Sequence, residues 1–479
     1  MADQDPLSSR AKPTRRLPVT ETAALIDRLV EKLGADQVIV GDAIEARYLK
    51  DWSGVPEGKP LALLRPKNTA DVAAALAICH GFGMPVVPQG GLTGLTGAAV
   101  PGAGQAALTL ERLNGVEEVD TAAATLTALA GTPIQVVQEA AHAHGFLFAL
   151  DWGARGSAVV GGGLSTNAGG NRVIRYGMAR DHVLGLEVVL ADGTVLSMLN
   201  KMQKNNSGYD LKHLFIGSEG TLGVITRAVL RLQPQTAAPC TALCAVDGFD
   251  AAVKLLRLAQ RRLVGAVGAF EAMWPDYYRA ATSYGKARAP LGDAPFYVLT
   301  DMVTADPLRD GERFEAMLEE AMTLGLVLDA TLARSESDTA SFWALRDATP
   351  EIMSHLAPML AFDVSIPIGQ IGEAVERMRT ALDERWPGQE GLYFGHIGDS
   401  NLHLIYSLAD GSEATAHEAE TAVYEIVKDY GGAISAEHGI GTLKRPFLNY
   451  SRSEAEIALM RTLKRALDPD GILNPGKVI

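Results

Sequence analysis

The chain has 479 residues, too many for one ordinary core and enough for two to four folding units. Hydrophobic residues make up 47% and charged residues 21%, the balance of a globular protein, and the net charge of −14 disfavours nucleic acid or an anionic membrane surface as partner. Cys79, Cys240 and Cys244 are too few for a disulfide framework and lack zinc-finger spacing, which points to a reducing compartment, the cytoplasm.

Residues 1–19 are polar and carry Pro6, Pro13 and Pro18 with Arg10, Lys12, Arg15 and Arg16. They lack the apolar core of a secretory signal, and Asp3 and Asp5 weaken a transit-peptide reading; a disordered tail is expected. No apolar run is long enough for a membrane span. Leu25, Ile26, Leu29, Val30 and Leu33 recur at helical spacing and stop at Gly34. A second helix is expected over Asp71–His80, followed by a strand from Met84 to Val87. Thr125 to Ala130 alternates like a strand. Thr132, Pro133 and Gln135 then predict a helix start with Thr132 as cap, Pro133 in the first turn and Gln135 closing a capping box. Further strands are expected at Val183–Leu190, Thr194–Leu196 and Val224–Leu232.

The character changes between Gln233 and Pro239. Beyond it, helices near Asp250–Arg262, Gly311–Leu324, Ala340–His355 and Gly369–Trp386 alternate with strands near Ala242–Val246, Tyr297–Met302, Phe362–Pro367 and Leu392–His396. Helices near Glu413–Tyr430 and Ser453–Leu467 precede a short tail. The expected class is α+β, with a first domain over 20–235, a second over 236–435 and a C-terminal segment over 436–479.

Three glycine-rich stretches fall in the first domain. The first is Pro88-Gln89-Gly90-Gly91-Leu92-Thr93-Gly94-Leu95-Thr96-Gly97. Successive backbone N–H groups in such a loop can cradle a pyrophosphate, and Thr93 and Thr96 can add hydroxyl donors. It is neither the dinucleotide fingerprint nor a P-loop, and alone it reads equally well as a surface loop. The second runs from Gly153 through Ser157 to Gly161-Gly162-Gly163-Leu164-Ser165-Thr166-Asn167-Ala168-Gly169-Gly170. The third is Gly217-Ser218-Glu219-Gly220-Thr221-Leu222-Gly223-Val224-Ile225-Thr226. Three such stretches suit a long cofactor threaded over a sheet.

In this order, and with Leu473-Asn474-Pro475-Gly476-Lys477 at the end, the stretches resemble the FAD-binding domain of the vanillyl-alcohol oxidase and p-cresol methylhydroxylase superfamily. Within it, the chain is most similar to the D-2-hydroxyglutarate and D-lactate dehydrogenase branch, from about Leu61 onward. The resemblance implies an FAD-binding domain, an α+β substrate (cap) domain and a C-terminal segment that returns to the first. It implies that Pro88, Gly90, Gly91, Thr93, Gly94 and Gly97 hold the pyrophosphate of FAD. Ser157, Gly161, Gly162, Ser165, Thr166, Asn167 and Gly169 would line the flavin, Val224 and Ile225 would lie near the adenine, and Asn474 would reach the flavin ring. No His or Cys stands in these loops, so the FAD is expected to be non-covalent. Leu92 departs from the family, whose close members often carry a polar residue there.

The second half contains Gly395-His396-Ile397-Gly398-Asp399-Ser400-Asn401-Leu402-His403, and later Glu437-His438-Gly439. Gly398 to Asn401 is turn chemistry, so a hairpin would bring His396 and His403 together. A lone strand histidine is more often a hydrogen-bonded core residue than a ligand. Yet three of the ten histidines sit in these two motifs, and two imidazoles plus one carboxylate leave an open metal position for substrate. The resemblance supports His396, His403 and Glu437 as metal ligands and His438 as the catalytic base. Zinc is the expected metal; manganese and iron accept the same donors.

An α-hydroxy acid can chelate a divalent ion through hydroxyl and carboxylate, His438 can take the hydroxyl proton, and the Cα hydrogen can leave as hydride to flavin. Arg346 matches the family arginine that pairs with a substrate carboxylate, with Asn401 a second contact. The 2-hydroxyglutarate enzymes carry a Tyr-Lys pair where this chain has Leu360-Ala361, and Thr349 is displaced by one position against their pattern. That favours a smaller or more apolar D-2-hydroxy acid. The acceptor would be a separate protein or quinone, and a homodimer stays open. Alternatives are an oxygen-using oxidase, the FAD subunit of a glycolate-oxidase-type complex, and a non-catalytic flavoprotein, which the intact histidine–acid set disfavours.

Overall fold

The computed structural model describes residues 18–479 except Lys286 and Ala409. The expected disordered tail lies outside the described residues, save that the first helix, Val19–Leu33, begins at its end. Its apolar stripe buries Leu25, Leu29 and Leu33.

Two larger sheets, with a small pairing of Phe146–Leu147 and Gln233–Pro234 beside them, make the first half of the described residues. Strands Val38–Val40, Ala62–Leu64, Ala106–Thr109 and Val86–Gln89 lie in that order, with the last two parallel. Strands Val116–Asp120, Thr125–Leu129, Val224–Arg231, Val183–Val189 and Val195–Met198 form an antiparallel five-stranded sheet. One hydrophobic core serves both, and it includes Ile472 and Leu473 from the chain's end. The helix Thr69–Phe82 links strands of the first sheet. Asn68 caps it by accepting the Asp71 N–H, and Gly83 in the left-handed region ends it.

The second half is one antiparallel seven-stranded sheet. Its order is Val327–Leu332, Ala237–Val246, Phe296–Thr304, Val267–Met273, Gly391–Gly395, Asn401–Ser407 and Met359–Ser365. Helices Phe249–Leu263, Pro307–Thr323, Ile371–Arg385 and Glu413–Asp429 cover one face. Helices Pro275–Ser283, Glu336–Arg346 and Thr349–Leu356 cover part of the other, where Tyr277 stacks on Phe394 at 4.1 Å between ring centres. Each fully buried Leu or Phe in these cores contributes roughly 1.5–3 kcal/mol. Among the described residues, no helix is long and apolar enough to cross a membrane.

Two local expectations fail for tertiary reasons. The helix after Thr132 runs Ile134–Ala143 with Pro133 as its cap residue and no side-chain cap. The Thr132 hydroxyl donates to Gly115 O and accepts from Gly115 N, at 3.0 and 2.9 Å, and Gln135 donates to Glu139 instead. A cross-chain partner outcompetes the local cap. The single helix expected over Ala340–His355 breaks into two. Pro350 has no N–H to return to the Arg346 carbonyl, and the Tyr277 hydroxyl donates to that carbonyl at 3.0 Å. The break leaves Arg346 as the last residue of its helix, facing the sheet. The strand Val267–Met273 was not anticipated, because every residue in it is buried and no alternation marks it.

Candidate active site

The first six residues of the His396–His403 motif turn the chain through one tight hairpin. His396 follows the strand Gly391–Gly395, a single 3-10 turn spans Ile397–Asp399, and Ser400 sits in the left-handed region at φ 77°. The return strand places His403 opposite Phe394, with the His396 and His403 rings 5.4 Å apart. Glu437 arrives from the segment after the Glu413–Asp429 helix. One donor atom from each of His396, His403 and Glu437 lies within 4.8 Å of the others. His438 stands beside them, its ring 6.4 Å from that of His403, and its side chain keeps 24% exposure.

Two buried carboxylates stand behind these side chains, and sequence reasoning missed both. Glu271 accepts from His396 Nδ1 at 2.6 Å and from Arg346 Nε at 2.9 Å. Arg346 Nη2 stands 3.1 Å from His396 Nε2; burial disfavours a charged ring there, but the Glu271 carboxylate outweighs it and raises the His396 pKa to about 8. Burial opposes ionisation of Glu271, but the His396 and Arg346 charges outweigh it and hold the carboxyl below its ordinary value. Asp363, fully buried and directly opposite His403 in register, accepts from the backbone N–H of Glu437 and of His438, both at 2.9 Å. Burial would raise its pKa; the nearby His438, Lys444 and His403 push it well down. Burial, with the Arg346 charge added, drives His403 toward the neutral form that a metal ligand needs. Asp363 had a signal, an acid in an otherwise apolar strand; Glu271 had the same one in an unrecognised strand.

This donor chemistry fits a divalent cation. A carboxylate that fixes the tautomer of a ligating histidine is the usual partner behind such a site.

The predicted cofactor residues come together as three loops packed on one another. A methyl group at Gly91 would lie 2.1 Å from Ser157 O, one at Gly90 3.2 Å from Gly162 Cα, and one at Gly161 2.8 Å from Ala130 Cβ. Those glycines serve loop-to-loop contact, whereas a methyl group at Gly94 would meet Asp51 Oδ2 at an ordinary 3.7 Å, and of that stretch's glycines only Gly97 has positive φ, at 73°. Leu92, the departure noted in the sequence, holds φ 58°. Gly91→Ala is expected to destabilise the protein by about 3 kcal/mol through this backbone collision and to lower flavin content per chain. Urea unfolding and the visible spectrum check both; unchanged values would show that the loops do not need this approach.

Several side chains are already committed. Thr96, buried, donates to His438 O at 3.4 Å, so its hydroxyl is turned away from a pyrophosphate role. The Thr166 hydroxyl bonds back to Gly162 O, and Asn167 Oδ1 accepts from Arg180 N. Among the described residues, no side-chain hydrogen bond occupies Thr93, Ser157 or Ser165, while the Ser165 carbonyl accepts from Glu219 N. Val224 and Ile225 are buried opposite Val189 and Val188, and Pro88 lies in the strand Val86–Gln89. Asn474 donates to Glu219 O and Ala98 O. Buried Oδ1 of Asn474 and Oε1 of Gln89 have no hydrogen-bond partner among the described residues, as expected where a polar ligand passes. A methyl group at Gly169 would meet Glu437 Oε1, so the second glycine stretch abuts the histidine–acid cluster. Asn401 is buried beside it with Oδ1 also unpartnered.

The family model described as FAD linked oxidases, C-terminal domain, matches residues 235–478, and one described as FAD binding domain matches residues 60–198. D-2-hydroxyglutarate dehydrogenase, mitochondrial, of Bos taurus is 36% identical over 99% of this chain and 87% of its own length. D-2-hydroxyglutarate dehydrogenase of Xanthomonas citri pv. viticola is 36% identical over 90% of this chain and 92% of its own. Among solved structures, p-cresol methylhydroxylase superposes with a TM-score of 0.78 at 14% identity, covering 96% of this chain and 97% of that one. Alkyldihydroxyacetonephosphate synthase superposes with 0.74 at 17% identity, covering 97% and 86%.

Proposed function

This chain belongs to the FAD-linked oxidases, an enzyme family, and from that premise we propose that it oxidises a D-2-hydroxy acid to the 2-keto acid and passes the electrons to a separate protein or quinone acceptor. The observation that carries the reading is the convergence of His396, His403 and Glu437 within 4.8 Å, beside a partly open His438 and against the loop that holds Gly169. The three loops and Asn474 would hold FAD without a covalent bond, and FAD would supply the hydride-accepting redox chemistry. A divalent metal, zinc in this proposal, would be held by His396, His403 and Glu437 and would supply Lewis acidity toward the substrate hydroxyl.

The chain's own residues do the rest. His438 takes the hydroxyl proton; Asp363 pins its backbone N–H and so fixes where the ring stands. Arg346 keeps Nη1 as its least engaged nitrogen, 3.5 Å from Thr349 Oγ1, for a substrate carboxylate. Asn401 is the second contact, through its amide N–H. Unpaired Cys79, Cys240 and Cys244 support a cytoplasmic location.

The distal side favours a small or apolar substituent over a second carboxylate. Ala361 pairs with Ile405, two residues along the strand from Asp363 opposite His403, and therefore shares the face of the site. It is exposed and offers no cation. The Thr349 hydroxyl is bound to the Tyr277 hydroxyl at 2.9 Å and donates to Arg346 O at 3.2 Å, inside the core.

The test is anaerobic flavin bleaching by D-lactate, D-malate, D-2-hydroxyglutarate and longer apolar D-2-hydroxy acids, with the L-acids as controls. Bleaching by a D-acid, lost on chelation and restored by zinc or manganese, is expected. Ala361→Lys should raise kcat/KM for D-2-hydroxyglutarate about tenfold or more relative to D-lactate, the scale of a newly paired charge. A flavin that no hydroxy acid bleaches sinks the substrate class. A clear native preference for D-2-hydroxyglutarate sinks the distal-side reading alone.

A further inference from the structure

Glu219 stands outside the cofactor and metal sets, yet it ties them together. It belongs to the third glycine-rich stretch and holds φ 50°, a conformation a non-glycine residue adopts only under outside constraint. The constraint is visible. Its N–H donates to Ser165 O of the second stretch at 2.8 Å, and its carbonyl accepts from Asn474 Nδ2 at 2.8 Å. The next residue, Gly220, lies against Pro88 of the first stretch, where a methyl group would be 3.1 Å from Cγ.

The side chain points the other way, out of the cofactor loops and into the segment that follows the base. Glu219 Oε1 accepts from Ile440 N at 2.7 Å and Oε2 from Gly441 N at 2.8 Å. A methyl group on Gly439 would collide with the same carboxylate at 2.8 Å. Residues 437–441 are thus gripped at two points. Asp363 holds the N–H groups of Glu437 and His438 from the seven-stranded sheet, and Glu219 holds those of Ile440 and Gly441 from the cofactor loops. Thr96 O of the first stretch takes the next two, from Thr442 and Leu443, at 2.8 and 3.2 Å. A carboxylate is the suitable group at this junction, since each oxygen receives one N–H; an amide would present a donor to one of them.

We infer that Glu219 is a positioning residue that couples the cofactor loops to the metal ligand Glu437 and the base His438. The inference rests on the metal reading above. Disturbing Glu219 loosens one end of the segment that carries Glu437, so metal retention falls while the other two ligands and the flavin loops stay in place. A loss of an outer partner of a metal ligand weakens metal binding by about 10- to 100-fold.

The experiment compares native holoenzyme with Glu219→Gln and Glu219→Asp, each loaded with Mn2+. Metal per chain is measured after dialysis against graded chelator, with flavin absorbance per chain and melting temperature read on the same samples. The expected result is native flavin content and a similar melting temperature in Glu219→Gln. Half of its metal should be lost at about tenfold lower chelator, with Glu219→Asp, which keeps both acceptor oxygens, lying between. Should Glu219→Gln fail to fold, Glu219→Asp carries the comparison in the same direction. Equal chelator midpoints in native and variant proteins overturn the inference, as does loss of flavin and metal in parallel, which makes Glu219 a support of the cofactor domain only. Native protein that retains no metal at any chelator concentration overturns the metal reading itself and the inference with it.

Discussion

Glu437→Ala is expected to lower the rate of anaerobic flavin reduction by about 1,000-fold or more, with flavin content unchanged. Lewis-acid stabilisation of a hydroxyl losing its proton is worth several kcal/mol, and each 1.4 kcal/mol is tenfold in rate. Glu437 is the only acid of the three grouped donors, so its removal takes both a ligand and the negative charge from the set. The two histidines that remain bring no negative charge: one is hydrogen-bonded between Glu271 and Arg346, and burial disfavours the charged form of the other. Stopped-flow bleaching of the flavin reads the rate directly. A variant that reduces its flavin at the native rate would remove the carboxylate from the mechanism and leave His396 and His403 as buried core histidines.

Asp363→Asn is expected to cost about 3–5 kcal/mol of folding stability, the range for breaking a buried charge pair by removing one partner. The carboxylate is fully buried. It receives two backbone N–H groups from the catalytic segment and lies within 4.0 Å of the Lys444 ammonium, which itself donates to Ile434 O at 2.9 Å. An amide leaves the Lys444 charge without its counter-ion in the interior. The same group gives a pH signature. Its pKa is depressed in the folded protein by His438, Lys444 and His403 acting against burial. Its stabilising contribution is therefore complete above the ordinary aspartate pKa near 4 and is lost as pH falls below that value toward the folded pKa. Denaturant midpoints measured from pH 7 down to 3 should drop more steeply in native protein than in Asp363→Asn. Parallel curves would show that Asp363 is not ionised in the native state.

How much of this was legible beforehand varied with the range of the interaction. The helix Val19–Leu33 and the helix Thr69–Phe82 follow from apolar spacing and a terminal glycine, signals that lie within a few residues of the element they define. The helix at Thr132 and the helix around Pro350 did not, because Gly115 and Tyr277 decide them from distant parts of the chain. The strand Val267–Met273 escaped notice since both of its faces are covered, which erases the two-residue alternation that marks a half-buried strand.

By itself, then, the amino-acid sequence determined the chemical inventory: glycine-rich stretches in an α+β chain, a histidine hairpin, an acid–histidine pair and a proline-glycine tail. Those are local patterns, and their meaning survives without coordinates because turn formation and metal affinity depend on residue type and short spacing. The tertiary structure alone decided which groups stand behind them. Glu271, Asp363 and Glu219 lie far in sequence from the side chains or backbone they hold. A buried carboxylate is stable only when its partners arrive with it, and their arrival is set by the packing of the sheet against the cofactor loops rather than by any neighbour in the chain.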